Sequence, residues 1–223
     1  MTLSSLLTIR PGITALIGGG GKTTAMYTLA RELSVRGSVV CTTTTHIYPP
    51  DHLPVLDGKN DAKLAVALGW CNCVCVGVPT QDGKLAAPAF SPYRLAELAD
   101  FVLVEADGSR GLPIKAHQPH EPVIPEFAGL VLTLIGASGF GKPVREAVHR
   151  WEQFCQLTGA APEEPVTADN LSRLLLAERL EDKVFVNQAE NAGDMETARR
   201  LAAILPKPVC AGSLQGGIWT CLS

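Results

Sequence analysis

The stretch ALIGGGGKTTAMYTLARELSVRG, residues 15–37, decides how the chain is read. An apolar run ends in Gly18, Gly19, Gly20 and Gly21, and Lys22, Thr23 and Thr24 follow. A helical pattern comes next. Met26, Leu29, Ala30 and Leu33 recur on one face, with Arg31, Glu32 and Arg36 opposite them. Gly37 supplies a C-terminal stop. Glycine has no Cβ, so successive peptides can turn their N–H groups inward and approach an anion closely. The oncoming helix adds the positive end of its dipole. Lys22 can reach β- and γ-phosphates and the Thr23 hydroxyl can ligate Mg²⁺, as in the phosphate loop of nucleoside triphosphatases. These residues therefore read as a grip on a nucleotide.

The match to G-x-x-x-x-G-K-[ST] is incomplete, because Leu16 stands where the first glycine belongs. GGGGKTT is also close to the K-G-G-x-G-K-T-T loop of ATPases that dimerise face to face. Ile17 replaces that variant's leading lysine, which argues against a lysine donated across such a dimer. The dinucleotide fingerprint G-x-G-x-x-G fails: begun at Gly19 it puts Thr24 last, and TTTTH stands where an acid should follow the second strand.

Outward from the loop, apolar runs alternate with amphipathic segments. Strands are predicted at 13–17, 39–42, 73–78, 101–106, 130–135, 183–187 and 208–211, several as continuous apolar runs suited to burial on both faces. Besides the helix after Lys22, helices are predicted at 92–99, 144–157, 168–181 and 195–205. Ser91 caps the first of these and Pro92 opens it, and Asp194 caps the last. The expectation is an α/β fold: a mostly parallel sheet with helices on both faces, a three-layer sandwich like that of phosphate-loop NTPases. Residues 1–223 read as a single such domain, with ligands at the carboxyl ends of the strands. A proline-rich loop at about 108–126 carries four prolines and little periodicity, which leans functional.

Composition limits the function classes. Hydrophobic residues make up 46% of the 223, and the formal charge of −3 offers no basic field for nucleic acid or an anionic membrane. No run approaches the roughly 18 apolar residues of a membrane span, and the first residues lack signal-peptide features. A cytoplasmic location is expected. The seven cysteines, odd in number and without framework spacing, read as reduced thiols.

FVLVEADGSRG, residues 101–111, is a buried strand ending in two carboxylates. Asp107, before Gly108, is the first choice to hold Mg²⁺ or its water, and Glu105 the second; one of them could align an attacking water. CTTTTHIYPP should emerge at the same sheet edge, where Thr43, Thr44 or Thr45 could touch Mg²⁺ or a γ-phosphate. KVFVNQAEN resembles the guanine-reading N-K-x-D. Asn187 matches, Gln188 stands for lysine and Glu190 for aspartate, which keeps the acceptor but lengthens it. WCNCVCVG would put Cys71, Cys73 and Cys75 on one side of a strand, either as soft metal ligands or as small buried hydrophobes. Arg110, Lys115, His117 and His120 could bind an anionic substrate or a partner, or simply lie in a solvated loop.

GGGGKTT, TTTTHI, VEADGSRGLPIKAHQPHEPVIP, GKPVREAVHR and VNQAE occur in order over nearly the whole chain, and together they resemble the YqeC family. The middle block is the most specific. The resemblance implies a nucleotide-binding fold and a role as an accessory protein in maturing a selenium-dependent molybdenum hydroxylase. In motif order the chain is also similar to metallocentre-insertion GTPases, from which Leu16 and Glu190 depart. The expected function is a Mg²⁺-dependent GTPase or ATPase, with Lys22, Asp107 and Glu105 as its catalytic groups. A small-molecule kinase and a nucleotide-gated binding module that does no chemistry are the alternatives.

Overall fold

The computed structural model describes residues 1–223. In chain order the first part carries α1 (Leu3–Leu6), β1 (Gly12–Gly18), α2 (Lys22–Leu33), β2 (Val39–Thr43), β3 (His46–Ile47), β4 (Val55–Leu56), α3 (Asp61–Cys71), β5 (Cys73–Val76), β6 (Val78–Pro79), β7 (Leu85–Ala86), α4 (Pro92–Leu98) and β8 (Phe101–Glu105). The rest carries β9 (Ile114–Lys115), β10 (Ala128–Gly136), α5 (Val144–Ala147), β11 (Val148–His149), α6 (Trp151–Thr158), α7 (Ala168–Glu178), β12 (Lys183–Asn187), α8 (Ala192–Ile204), β13 (Val209–Ser213) and β14 (Ile218–Cys221).

The main sheet is nine-stranded in the order β14-β13-β12-β10-β1-β8-β2-β5-β4 and mostly parallel, with β14 antiparallel to β13. The fold is α/β. No helix is long and apolar enough to cross a membrane.

The chain forms two compact units. The first comprises Met1–Leu16, Thr23–Gly108 and Val123–Leu130. Its β2 and β8 are buried at every position, so they read as unbroken apolar runs rather than alternating ones. Val40, Val74, Val102 and Val104 pack with Leu64 and Leu68 of α3 and Leu95 of α4. Cys41 and Cys75 alternate with those valines, and Tyr27 of α2 neighbours both thiols, so helices cover the two faces of this part. Met26, Leu29 and Leu33 of α2 are fully buried, each worth about 1.5–3 kcal/mol. Glu32, on the same helix, accepts from the backbone amides of Leu3 and Ser4 and so caps α1.

The second unit comprises Ile17–Lys22, Ser109–Pro122 and Val131–Ser223. Val184, Val186, Val209 and Ala211 pack with Phe154, Leu171, Leu174, Ala198 and Leu201 from α6, α7 and α8.

Several local expectations are corrected here. The helix predicted at 144–157 is interrupted: Val148 and His149 pair in parallel with Ile114 and Lys115, and Arg150 turns into the left-handed region at φ 64°. Tertiary strand pairing overrides helical propensity at β-branched Val148. Asp194 is not a cap, because α8 starts at Ala192 and Asn191 Oδ1 accepts from Asp194 N at 3.0 Å. The helix predicted to run to 181 ends at Glu178, where Arg179 takes a left-handed C-cap. The proline-rich segment is no free loop: it contributes β9, and Ile114, Lys115, Ala116 and His117 are all buried. Cys71 ends α3 and Asn72 turns left-handed, so only Cys73 and Cys75 share the strand.

Candidate functional site

Beyond the end of β1 the glycines enter a close-packed corner. A Cβ on Gly18 would fall 2.4 Å from Leu134 O, and one on Gly19 would fall 2.7 Å from Leu112 O. On Gly20 it would meet Gly136 N at 2.2 Å, and on Gly21 Asn187 Nδ2 at 2.6 Å. Gly18, Gly20 and Gly21 also have φ of +90°, +72° and +113°, which only glycine adopts freely. The run is obligatory because neighbouring backbone, and at Gly21 the Asn187 side chain, occupies the space side chains would need.

Two of the expected anion-facing amides are otherwise engaged. Gly19 N donates to Leu134 O at 2.9 Å, and Gly20 N to Leu112 O at 3.4 Å. This corrects the expectation that all the glycine amides turn inward. The donors left for an anion begin at Gly21 and the first turn of α2, which carries no acidic residue. Lys22 is only 4% exposed and its Nζ donates to Gly18 O at 2.6 Å, so the lysine folds back over the turn.

Asn187 holds this corner from the side. Its Nδ2 donates to Gly20 O at 2.7 Å and its Oδ1 accepts from Leu214 N at 3.0 Å. Gln188, at φ 64°, accepts from Ser138 Oγ at 2.7 Å. Glu190 Oε1 accepts from Ser213 Oγ at 2.7 Å. A cavity of about 500 Å³ opens beside Glu190, with Met195, Ser213, Ile218 and Trp219 in its wall. Asn187 and Gln188 thus hold backbone and side-chain groups of the protein, while Glu190 borders an open space.

The first unit carries a second group of polar side chains. Thr23 Oγ1 donates to Glu105 Oε2 at 2.8 Å. Glu105 is 7% exposed and Asp107 is 1% exposed. Thr43 Oγ1 donates to Glu105 O at 2.8 Å, and Thr45 N donates to Thr43 Oγ1 at 2.9 Å. Thr44 Oγ1 donates to Val123 O at 2.9 Å. The threonine turn is therefore latched to the end of β8 and to Val123 in the later part of the proline-rich segment. Thr24 lies in the first turn of α2 and is exposed.

Two groups differ from the simple sequence picture. His117 is buried: its backbone N donates to Glu178 Oε1 at 2.6 Å, and Nδ1 lies 2.8 Å from Glu178 Oε2. His120 stays exposed. Among the thiols, a hydrogen bond with Cys73, together with burial, raises Cys41, and burial pushes Cys75 up to about 12. No group of three or more His, Cys, Asp or Glu side chains is gathered to hold a metal ion. Sequence reasoning missed His149 and Arg150, which β11 brings beside Lys115; the two-residue strand gives no periodic signal.

The family model for the YqeC protein matches residues 14–152, which take in the glycine turn, both acids, the proline-rich segment and Arg150. "Uncharacterized protein YqeC" of Escherichia coli (strain K12) is 35% identical over 179 residues, covering 74% of this chain and 68% of that one. The chain belongs to the YqeC family.

Among solved structures, the signal recognition particle 54 kDa protein of Aeropyrum pernix K1, in complex with GDP, gives a TM-score of 0.39 at 14% identity. The match covers 96% of this YqeC-family chain and 44% of that one.

Proposed function

We propose that this YqeC-family chain binds a nucleoside triphosphate with Mg²⁺ and hydrolyses it. The observation that carries the reading is Lys22, buried at the head of α2 and folded over a glycine turn that admits no side chain. A lysine in that position trades its bond to a carbonyl for one to a phosphate oxygen. The phosphate donors are Lys22, the Gly21 amide and the first amides of α2, where the helix dipole favours negative charge.

Mg²⁺ fits the hard oxygen donors in the first unit. Thr23 donates its proton to Glu105, which leaves the lone pairs of the threonine oxygen for a cation. Thr23 and Asp107 would hold the ion, with Glu105 fixing the threonine rotamer. When bound, Mg²⁺ neutralises charge building on the β- and γ-oxygens. Lys22 stabilises the same charge, and Asp107 or Glu105 aligns the attacking water. Glu190, in the wall of a cavity, would accept from donors on a nucleobase, a reading that favours guanine. The resemblance to accessory proteins supports a molybdenum hydroxylase as client, served from the cytoplasm.

A nucleotide panel in a thermal-shift assay with Mg²⁺ tests the reading. A ligand at 100 times its Kd adds about 2.7 kcal/mol of stability. GTP or ATP should stabilise the protein, and Lys22→Ala should lose the effect while keeping its far-UV spectrum. No stabilisation by any triphosphate in the unaltered protein refutes binding. With γ-labelled nucleotide, free phosphate supports hydrolysis, and a labelled small acceptor supports a kinase instead.

A further inference from the structure

The proline-rich segment and β11 bring together a set of basic groups that the nucleotide reading does not use. His149 stands opposite Lys115 in the parallel β9–β11 pair, so their side chains share a face. Lys115 Nζ lies 3.1 Å from Glu121 Oε2, and its side chain is wholly buried. Arg150, next along the chain from His149, grips the same carboxylate with two bonds, Nε to Oε2 at 3.0 Å and an Nη2 to Oε1 at 2.8 Å. Arg110 sits near enough for its charge to act on His149. Its guanidinium is exposed and engages no other side chain or carbonyl.

Three permanent cations, Lys115, Arg150 and Arg110, act together on His149, and Glu121 is the carboxylate that opposes them there. Arg110 and Arg150 both hold the left-handed backbone, at φ 52° and 64°, a conformation that costs a non-glycine residue free energy. Strain at two arginines that flank one imidazole is the kind of outlier from which a site is inferred. The segment also abuts the glycine turn, since Leu112 and Pro113 occupy the space beside Gly19.

We propose that Arg110, His149 and Arg150, backed by buried Lys115, form a second anion site that takes a small tetrahedral dianion of phosphate type. Arg110 supplies a free planar fork, which suits bidentate contact with such an oxyanion. Glu121 holds Lys115 and Arg150 in place rather than meeting the ligand. The proposal goes beyond the nucleotide reading and stands if that reading fails. His149 supports it as a reporter: burial, then Lys115, Arg150 and Arg110, hold its pKa below the usual value, with Glu121 opposing them. A dianion among these groups would reverse the shift.

The test is a titration of the full chain with inorganic phosphate, and separately with glycerol phosphate, followed by NMR of the histidine ring protons. The chain has five histidines, and His149→Gln identifies the resonance by its loss. The expected result is a saturable shift of the His149 signal and an upward move of its pKa. Arg110→Ala, which removes an exposed side chain that makes no hydrogen bond or ion pair within the fold, should weaken binding by about tenfold with an unchanged melting temperature. Tighter binding of one probe shows whether the site is for a free ion or a monoester. A His149 signal that ignores both anions, or that responds identically in Arg110→Ala, overturns the proposal. Loss of nucleotide binding in Lys22→Ala leaves it untouched.

Discussion

Asn187→Ala should loosen the glycine turn without favouring one base over another. The side chain is 5% exposed and makes two bonds, Nδ2 to Gly20 O at 2.7 Å and Leu214 N to Oδ1 at 3.0 Å. Alanine strands a carbonyl and an amide, each costing about 1–3 kcal/mol when unsatisfied, so the summed loss is about 3 kcal/mol. In a chain of this size 1 kcal/mol moves the melting temperature by roughly 2–4 °C, so the apoprotein should melt about 6–12 °C lower. Nδ2 also fills the position beside Gly21, so the variant turn gains freedom that binding must then remove. Fixing one residue costs about 1–2 kcal/mol, so affinity should fall by about tenfold. The fall should be equal for ATP and GTP, because Nδ2 and Oδ1 of Asn187 are both engaged with the protein's own backbone. Calorimetric titration with each nucleotide measures this. A loss confined to one base, or an unchanged melting temperature, refutes the assignment of Asn187 as the residue that holds the turn.

Other perturbations follow from the same structure. Burial alone would raise Glu121, but bonds from Arg150 and Lys115 outweigh it and hold the carboxyl at about 2. A carboxyl depressed in the folded state stabilises above its unfolded pKa, and that stability is lost as pH falls from about 4.5 toward 2. Allowing for partial exposure, the contribution is about 2 kcal/mol, and Glu121→Gln should abolish this share of the acid dependence in urea melts at stepped pH. Cys210 and Cys221 lie directly opposite in the antiparallel β13–β14 pair, and Leu222 N donates to Val209 O, so theirs is the non-hydrogen-bonded kind of position. Such positions bring Cα atoms to roughly 4.5 Å, within the range a disulfide spans. Glutathione disulfide should therefore oxidise the pair through exposed Cys221, with the two thiols losing two protons and two electrons and two glutathione thiols released. Peptide mass spectrometry should find the 210–221 link, and a mixed disulfide at Cys221 as the end product would refute it.

What was legible in the sequence was what local chemistry decides. The unbroken apolar runs of β2 and β8 announced strands covered on both faces, and Ser91 with Pro92 announced the start of α4, where Ser91 Oγ accepts from Arg94 N. Illegible were features decided at long range. β9 and β11 exist only because each pairs with the other, and two residues carry no period. His117 looked like a solvated loop histidine because Glu178, its partner, lies 61 residues away. Helix α3 has an apolar character all round and so lacks the amphipathic stripe that reveals a surface helix. Asn187 was legible as a motif residue but not in its role, since holding Gly20 spans 167 positions.

The glycine run shows how flexibility in a sequence becomes rigidity in a fold. Four glycines in an unfolded chain sample more backbone states than any other residues, and fixing them is correspondingly costly. That cost is met by the fold itself: Leu134 O and Leu112 O take two of the amides, and Asn187 takes the carbonyl of Gly20. Backbone at Leu134, Leu112 and Gly136 closes the space around the turn. The turn is thus held by the fold's own contacts, so on the proposed reading an anion at Lys22 would not have to supply the ordering free energy. A glycine-to-alanine change at Gly20 would set a methyl 2.2 Å from Gly136 N and displace β10 itself. The glycines serve the sheet first, and it is through the sheet that they give a buried lysine a fixed place to wait.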